Sequence, residues 1–334
     1  MTSDQFRYIL SRYLLCGYLG NTDGMISVIF PGAALRRNAR LVSRFASGIE
    51  FQTAGPEKIQ LTIPAYAGQN RFVLRMMEML RPITNDLCAA ILHGSLATGE
   101  EIPYSDFDGV LILRNEVVQD RHRLAKFAAR VIESRKIMME MDPLQHHGWF
   151  ILLERDLESY PENYLPHEIF KQACSLFPGD PCNLQLALQP GADYTRSFLR
   201  LSKSLGHKTK SDQGPQSVYA LKNLLSEFML LPAMYLQAKL NKGISKKLSF
   251  DLARADFPGE TWSIMDEISS IRSSWKPEWN VMPGMKSAAT GYLADKKRKR
   301  LKTAIPELLL PVCTPEFRKR MSGLVQSAKN NLHL

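Results

Sequence analysis

Two aspartates one residue apart, Asp106 and Asp108, head an apolar run, Val110-Leu111-Ile112-Leu113. Alternate residues of a strand point to the same side, so the two carboxylates project together while Phe107 turns into a core. Carboxylates held side by side repel one another and cost folding energy. Hard divalent cations, Mg²⁺ above all, offset that cost, because they take oxygen ligands and bridge phosphates. Upstream, a second apolar run, Cys88-Ala89-Ala90-Ile91-Leu92, ends in His93-Gly94-Ser95. Glycine lets the backbone come close to a phosphate, and the N–H groups there, with the Ser95 hydroxyl, can cradle it. Residues 88–113 therefore read as strand, tight turn with a short helix or loop, then strand.

Gly94-Ser95, a connector holding Thr98-Gly99, then Ser105-Asp106-Phe107-Asp108 entering an apolar strand resembles the motif of the nucleotidyltransferase superfamily, which includes DNA polymerase beta. The Ser-Asp-x-Asp form is especially similar to the small bacterial aminoglycoside adenylyltransferases. The resemblance implies a mixed α+β fold, a small sheet flanked by helices and followed by an α-helical C-terminal domain. It implies transfer of a nucleoside monophosphate from an NTP to a hydroxyl acceptor, with release of pyrophosphate. Asp106 and Asp108 would hold Mg²⁺ or Mn²⁺, and Gly94, Ser95, Thr98 and Ser105 would hold the triphosphate. Two such ions, roughly 3.5–4 Å apart, can clamp the attacking and leaving oxygens.

The superfamily draws a third carboxylate from the strand after the next helix, and here the chain departs from the pattern. The stretch Met141 to Leu153 carries no acid in its apolar part. Asp142, just before Pro143, is the nearest candidate metal ligand, and Glu154 lies at the far end. His146 and His147 occupy the middle. Strand alternation from Leu144 would turn one histidine toward the site, His147 being the candidate base. A metal-ligating Asp142, a histidine as ligand or base, and no third group at all remain open.

The elements that must position these groups follow from apolar spacing. Residues 4–20 read as a helix, as do Gln69–Leu80, which leads into the motif strand, and Arg121–Met139, which follows it. Within residues 25–65, Ile26–Phe30 and Ile59–Ile63 read as strands. A Pro- and Asn-bearing linker over Tyr160–Pro166 precedes mostly helical signals. These comprise His167–Phe177, a helix capped by Asp193 from Tyr194 to about Leu205, and a long apolar helix over Ser217–Leu240, kinked at Pro232. The division is a 1–66 extension, a 67–160 catalytic domain and a 166–334 helical domain that closes over nucleotide or binds the acceptor. Lys222, Lys246, Lys247 and Arg254 are its candidates to reach phosphates, Lys246-Lys247 at a helix start. Trp262, Trp275 and Trp279 read as core, with Trp275 a candidate to stack on a base.

Composition bounds the rest. The 334 residues are 45% apolar, enough for a sizeable core, and carry 43 Lys and Arg against 33 Asp and Glu, net +10. A positive field attracts nucleotide or nucleic acid without telling them apart; the basic run Lys296–Arg300 reads as a solvated helix face. No run is long and apolar enough for a membrane span, and no secretory leader is evident. Five widely spaced cysteines without a CxxC pair fit reduced thiols in the cytoplasm. Two classes of function follow: a transferase acting on a small molecule, a protein side chain or an RNA end, and a non-catalytic relative that binds nucleotide or a partner protein. Pyrophosphate release from labelled NTP separates them.

Overall fold

The computed structural model describes residues 1–19, 31–51, 57–179, 181–189, 191–210, 214–276 and 305–334. The expected strand at Ile26–Phe30, Trp279 and the basic run Lys296–Arg300 lie outside these residues. The fold is mixed α+β, with small sheets flanked by helices and a helical C-terminal region. In chain order the elements are α1 (Ser3–Cys16), α2 (Pro31–Ala46), β1 (Lys58–Ile63), α3 (Arg71–Leu80), β2 (Leu87–His93), the single turn α4 (Ser95–Thr98), β3 (Asp108–Leu113), α5 (Asn115–Gln119), α6 (Arg121–Met141), β4 (Phe150–Leu153), β5 (Cys174–Ser175) and β6 (Cys182–Ala187). The helical region holds α7 (Tyr194–Lys210), α8 (Val218–Phe228), α9 (Leu231–Leu240), α10 (Lys246–Arg254), α11 (Gly259–Ser274) and α12 (Pro315–Asn331).

Strand order in the main sheet is β4-β3-β2-β5. β2 runs antiparallel to β3 and β5, and β3 runs parallel to β4. β1 and β6 form an antiparallel pair of their own. Both faces of the main sheet are covered, which is why β2 and β3 read as unbroken apolar runs. Ala90, Leu92, Leu111 and Leu113 pack with Phe6, Leu10, Met76 and Phe127 from the helices. Their neighbours Ala89, Ile91, Val110 and Ile112 face Leu61, Ile63, Leu184 and Leu186 of the β1–β6 pair.

Residues 31–46, between the two expected strands, form a helix to which apolar spacing assigned no element. One expectation changes. Residues 174–187 contribute strands, so the helical region begins near Tyr194, well after residue 166, and His167–Gln172 is a short 3-10 turn. β5 is only two residues long and β6 directly follows Pro181; the helical spacing read over His167–Phe177 gives way to pairing with β2, and β6 pairs with β1. The long apolar helix divides at Met229-Leu230, one turn before Pro232, which sits in the first turn of α9 where its missing N–H costs nothing. Asp193 accepts a hydrogen bond from the Arg196 N–H (2.8 Å), as a cap should. All five cysteines are free, and among the described residues no helix is long and apolar enough to cross a membrane.

Candidate active site

Asp108 is the first residue of β3, and Asp106 stands just before it, outside the ladder. What keeps Asp106 in register is Gln145. Its side-chain amide accepts from the Phe107 N–H (2.9 Å) and donates to the Phe107 carbonyl (2.9 Å), standing in for a neighbouring strand. Phe107 is fully buried, edge-on to Trp149, with ring centroids 5.5 Å apart. Gly109 is required beneath that indole: a Cβ there would lie 2.2 Å from the Trp149 ring. Both aspartates therefore turn to the side opposite Phe107.

The carboxylates converge. Asp108 Oδ1 lies 3.1 Å and Asp106 Oδ2 3.7 Å from the same atom, His147 Nε2. His146 Nδ1 lies 3.1 Å from Asp106 Oδ2. The Gly94 turn closes the other side of Asp108. Gly94 has φ +73°, and a Cβ on it would lie 2.7 Å from Asp108 Oδ2, so both backbone conformation and space demand glycine. The Ser95 hydroxyl bonds to that of Ser105 (2.9 Å), tying the turn to the residue before Asp106. Thr98 is turned away; its hydroxyl bonds the Ser95 carbonyl and Glu100.

Both histidines face the acids, where strand alternation would have turned only one. The reason is that β4 starts at Phe150, leaving residues 144–149 outside the sheet. His147 Nδ1 meets the Gly148 carbonyl at 3.0 Å, which assigns the proton to Nδ1 and aims Nε2 at the acids. Against burial, hydrogen bonding and charge from Asp108, then Asp106, push the His147 pKa up to about 9. Against the same desolvation, Lys222 and the two histidines hold the Asp106 carboxyl well below the usual range, and His147 lowers Asp108.

Asp142, expected as a third metal ligand, does not join this cluster. It is buried at the end of α6, where Oδ1 accepts from the Leu144 N–H (2.9 Å) and Oδ2 meets Lys222 Nζ (2.8 Å). Burial raises its pKa, with Asp106 adding and Lys222 opposing. Glu154 is at the opposite end of β3, near Arg114 and Asn115. Lys222 does not reach outward to phosphates. It is fully buried and spans Asp106 Oδ1 (2.6 Å), Asp142 and the Tyr104 carbonyl (2.8 Å).

From the helical region, Lys246 at the start of α10 is half-buried, with its pKa pushed down to about 8 by burial and then by Arg272, while Asp108 and Asp106 oppose the shift. Arg272 lies over the Tyr104 ring, 4.6 Å from its centroid. Lys247 pairs with Glu100 and Arg254 with Asp266, both on the surface. Trp275 is buried edge-on to Tyr104 (5.4 Å), and Trp262 is buried too, so neither offers a face for a base. Gln145, Tyr104 and Arg272 had no signal of their own in the sequence beyond lying beside, or helical turns away from, residues that did.

Donor chemistry decides whether a divalent ion fits. Ligands placed about 2.1 Å from an ion lie about 3.0 Å apart at right angles and about 3.4 Å apart in a tetrahedron. The two pairs at 3.1 Å fall within that range and the third, at 3.7 Å, lies just beyond it, and Asp106, His146 and His147 offer atoms within 4.8 Å of one another. Imidazole Nε2 with its Nδ1–H on a backbone carbonyl is also the usual posture of a metal-binding histidine. Comparison with protein-family models, curated protein sequences and solved structures finds no significant match.

Proposed function

We propose that the protein is a metal-dependent nucleotidyltransferase, moving a nucleoside monophosphate from an NTP to a hydroxyl acceptor. The observation that carries this reading is the convergence of Asp106 and Asp108 on one point, with the glycine turn at Gly94 packed directly against Asp108. Asp106 Oδ2, Asp108 and the imidazole nitrogens of His146 and His147 would hold Mg²⁺ or Mn²⁺. A bound ion would supply charge neutralisation on the phosphate undergoing attack. Gly94 and Ser95 position the triphosphate against Asp108. Lys246, opposite and backed by Arg272, adds positive charge where charge leaves with pyrophosphate. Where His147 is not engaged by the ion, its ring, held protonated by Asp108 and Asp106, adds positive charge beside the phosphate. The acceptor, an RNA end, a protein side chain or a small molecule, and a cytoplasmic setting belong to the same proposal.

A second reading, a non-catalytic nucleotide- or partner-binding protein, is favoured by one observation: the ammonium of Lys222 fills the space between Asp106 and Asp142. Labelled NTPs with Mg²⁺ or Mn²⁺, with and without tRNA or an aminoglycoside, separate the two. Pyrophosphate release supports the transferase. A thermal shift with ATP and metal, but no release under any condition, supports the binding protein instead.

A further inference from the structure

We propose that the site takes a single divalent ion, the second cation of a two-ion arrangement being replaced by the Lys222 ammonium; this rests on the nucleotidyl-transfer reading and sharpens it. A two-ion site needs a carboxylate that serves both cations, which sit roughly 3.5–4 Å apart. Asp106 has that posture. Its Oδ2 faces the histidines, and its Oδ1 lies 2.6 Å from Lys222 Nζ.

The lysine position is closed to a metal. Three oxygens surround Nζ: the Tyr104 carbonyl accepts its hydrogen bond at 2.8 Å, and Asp106 Oδ1 at 2.6 Å and Asp142 Oδ2 at 2.8 Å are its ion-pair partners. The Tyr104 ring covers the same nitrogen, 4.5 Å from its centroid. The Tyr104 hydroxyl in turn donates to the Lys222 carbonyl (2.9 Å), locking α8 against the loop that carries Asp106. The Lys222 side chain has no exposure at all. A hard divalent ion keeps several waters, which a sealed position cannot admit, and displacing the lysine would leave a buried ammonium unpaired.

The test is equilibrium dialysis of the full chain against Mn²⁺, without nucleotide and with α,β-methylene-ATP, with electron paramagnetic resonance of the bound ion. One uncoupled Mn²⁺ per chain in both conditions is expected. Two ions per chain, or a spin-coupled pair, overturns the inference, as does no bound Mn²⁺. Lys222→Ala, which empties the ammonium's space and leaves three carboxylates with no resident cation, should raise the count to two. If circular dichroism shows it folded and the count stays at one, the inference fails. Lys222→Met with Asp142→Asn removes the buried pair together and should keep one ion; a second ion in that variant counts against the idea. One bound Mn²⁺ without pyrophosphate release under any condition refutes the transferase reading and leaves the one-ion inference standing.

Discussion

Two buried cation–carboxylate clusters sit in this molecule, and they end differently. In the sheet body, Arg7 of α1 reaches Asp156 Oδ1 at 2.5 Å and also pairs with Asp4. The other oxygen, Asp156 Oδ2, accepts from the Leu153 N–H at 2.8 Å. Both carboxylate oxygens are committed to the protein, and Arg7 and Asp156 are almost wholly buried. At the candidate site, Lys222 forms an ion pair with one oxygen of Asp106 at 2.6 Å, while the other oxygen faces two imidazoles and the neighbouring carboxylate of Asp108. The side chain of Asp108 remains 30% exposed. The first cluster is closed in the protein's own terms. The second places acid beside acid at a surface, an arrangement that folding alone gives no reason to keep. A buried salt bridge by itself signals little about function; what distinguishes the site is the unused ligand capacity at its outer edge.

The comparison breaks most sharply at Asp108. Asp108→Ala should lower metal-dependent pyrophosphate release by roughly 10³-fold or more, the scale on which removing a charge-stabilising group acts. The thermal midpoint should fall modestly near neutral pH, since the His147 ring loses its partner, and circular dichroism should show the variant folded. Near wild-type turnover in that variant would refute the assigned role. Asp106→Ala should also abolish release, again at a cost in stability, because Lys222 loses a partner.

Arg7→Met is the converse. It leaves Asp156 buried without its cation, and breaking such a pair costs about 3–5 kcal/mol. Urea denaturation should show that loss, while Mn²⁺ affinity of the folded protein stays at the wild-type value. If Arg7→Met weakens metal binding at native conditions, the two clusters are coupled and the contrast between them fails.

How much of this was legible follows from where the signals are local. The strand–turn–strand of 87–113 was readable because both faces of β2 and β3 are buried and the apolar runs are unbroken. The pairing of Asp106 with Asp108 was readable from the i, i+2 rule, although the agent holding Asp106 is the side chain of Gln145, which no period reveals. The helix at 31–46 carries four arginines that mask its apolar stripe. Lys222 looked like an outward phosphate ligand because a lysine in a helix is usually exposed. Its partners come from Asp106, Asp142 and Tyr104, far away in the chain, and only the packing of α8 on the sheet body brings them together.

Within the open cluster, the histidines set which ion is preferred. Imidazole nitrogen suits Mn²⁺, Co²⁺ or Zn²⁺ better than Mg²⁺. His147→Gln should weaken Mn²⁺ binding by about 10–100-fold and change Mg²⁺ binding far less, as calorimetry can read. Equal losses for both ions would show that His147 acts on the acids and not on the metal.

The smallest effect belongs to a histidine–acid pair that is closed as the Arg7 cluster is closed. Glu162 Oε1 accepts from the His167 N–H (2.9 Å) and meets its ring Nδ1 (2.6 Å), while Oε2 accepts from the Tyr194 hydroxyl (2.9 Å). Burial works against the charged ring, but the hydrogen bond and charge of Glu162 raise the His167 pKa above its ordinary value. A raised folded-state pKa means that the pair's contribution is fully present below the unfolded value, about 6.5, and is lost as pH rises through the folded one. His167→Gln should therefore lower the urea midpoint at pH 6, and the difference from wild type should shrink as pH rises through the folded-state pKa, where the ring loses its charge. Because no oxygen of Glu162 is left to take a ligand, Mn²⁺ should not change this profile. A metal-dependent shift in the His167 titration, followed by NMR, would place unused ligand capacity in a cluster whose geometry leaves none.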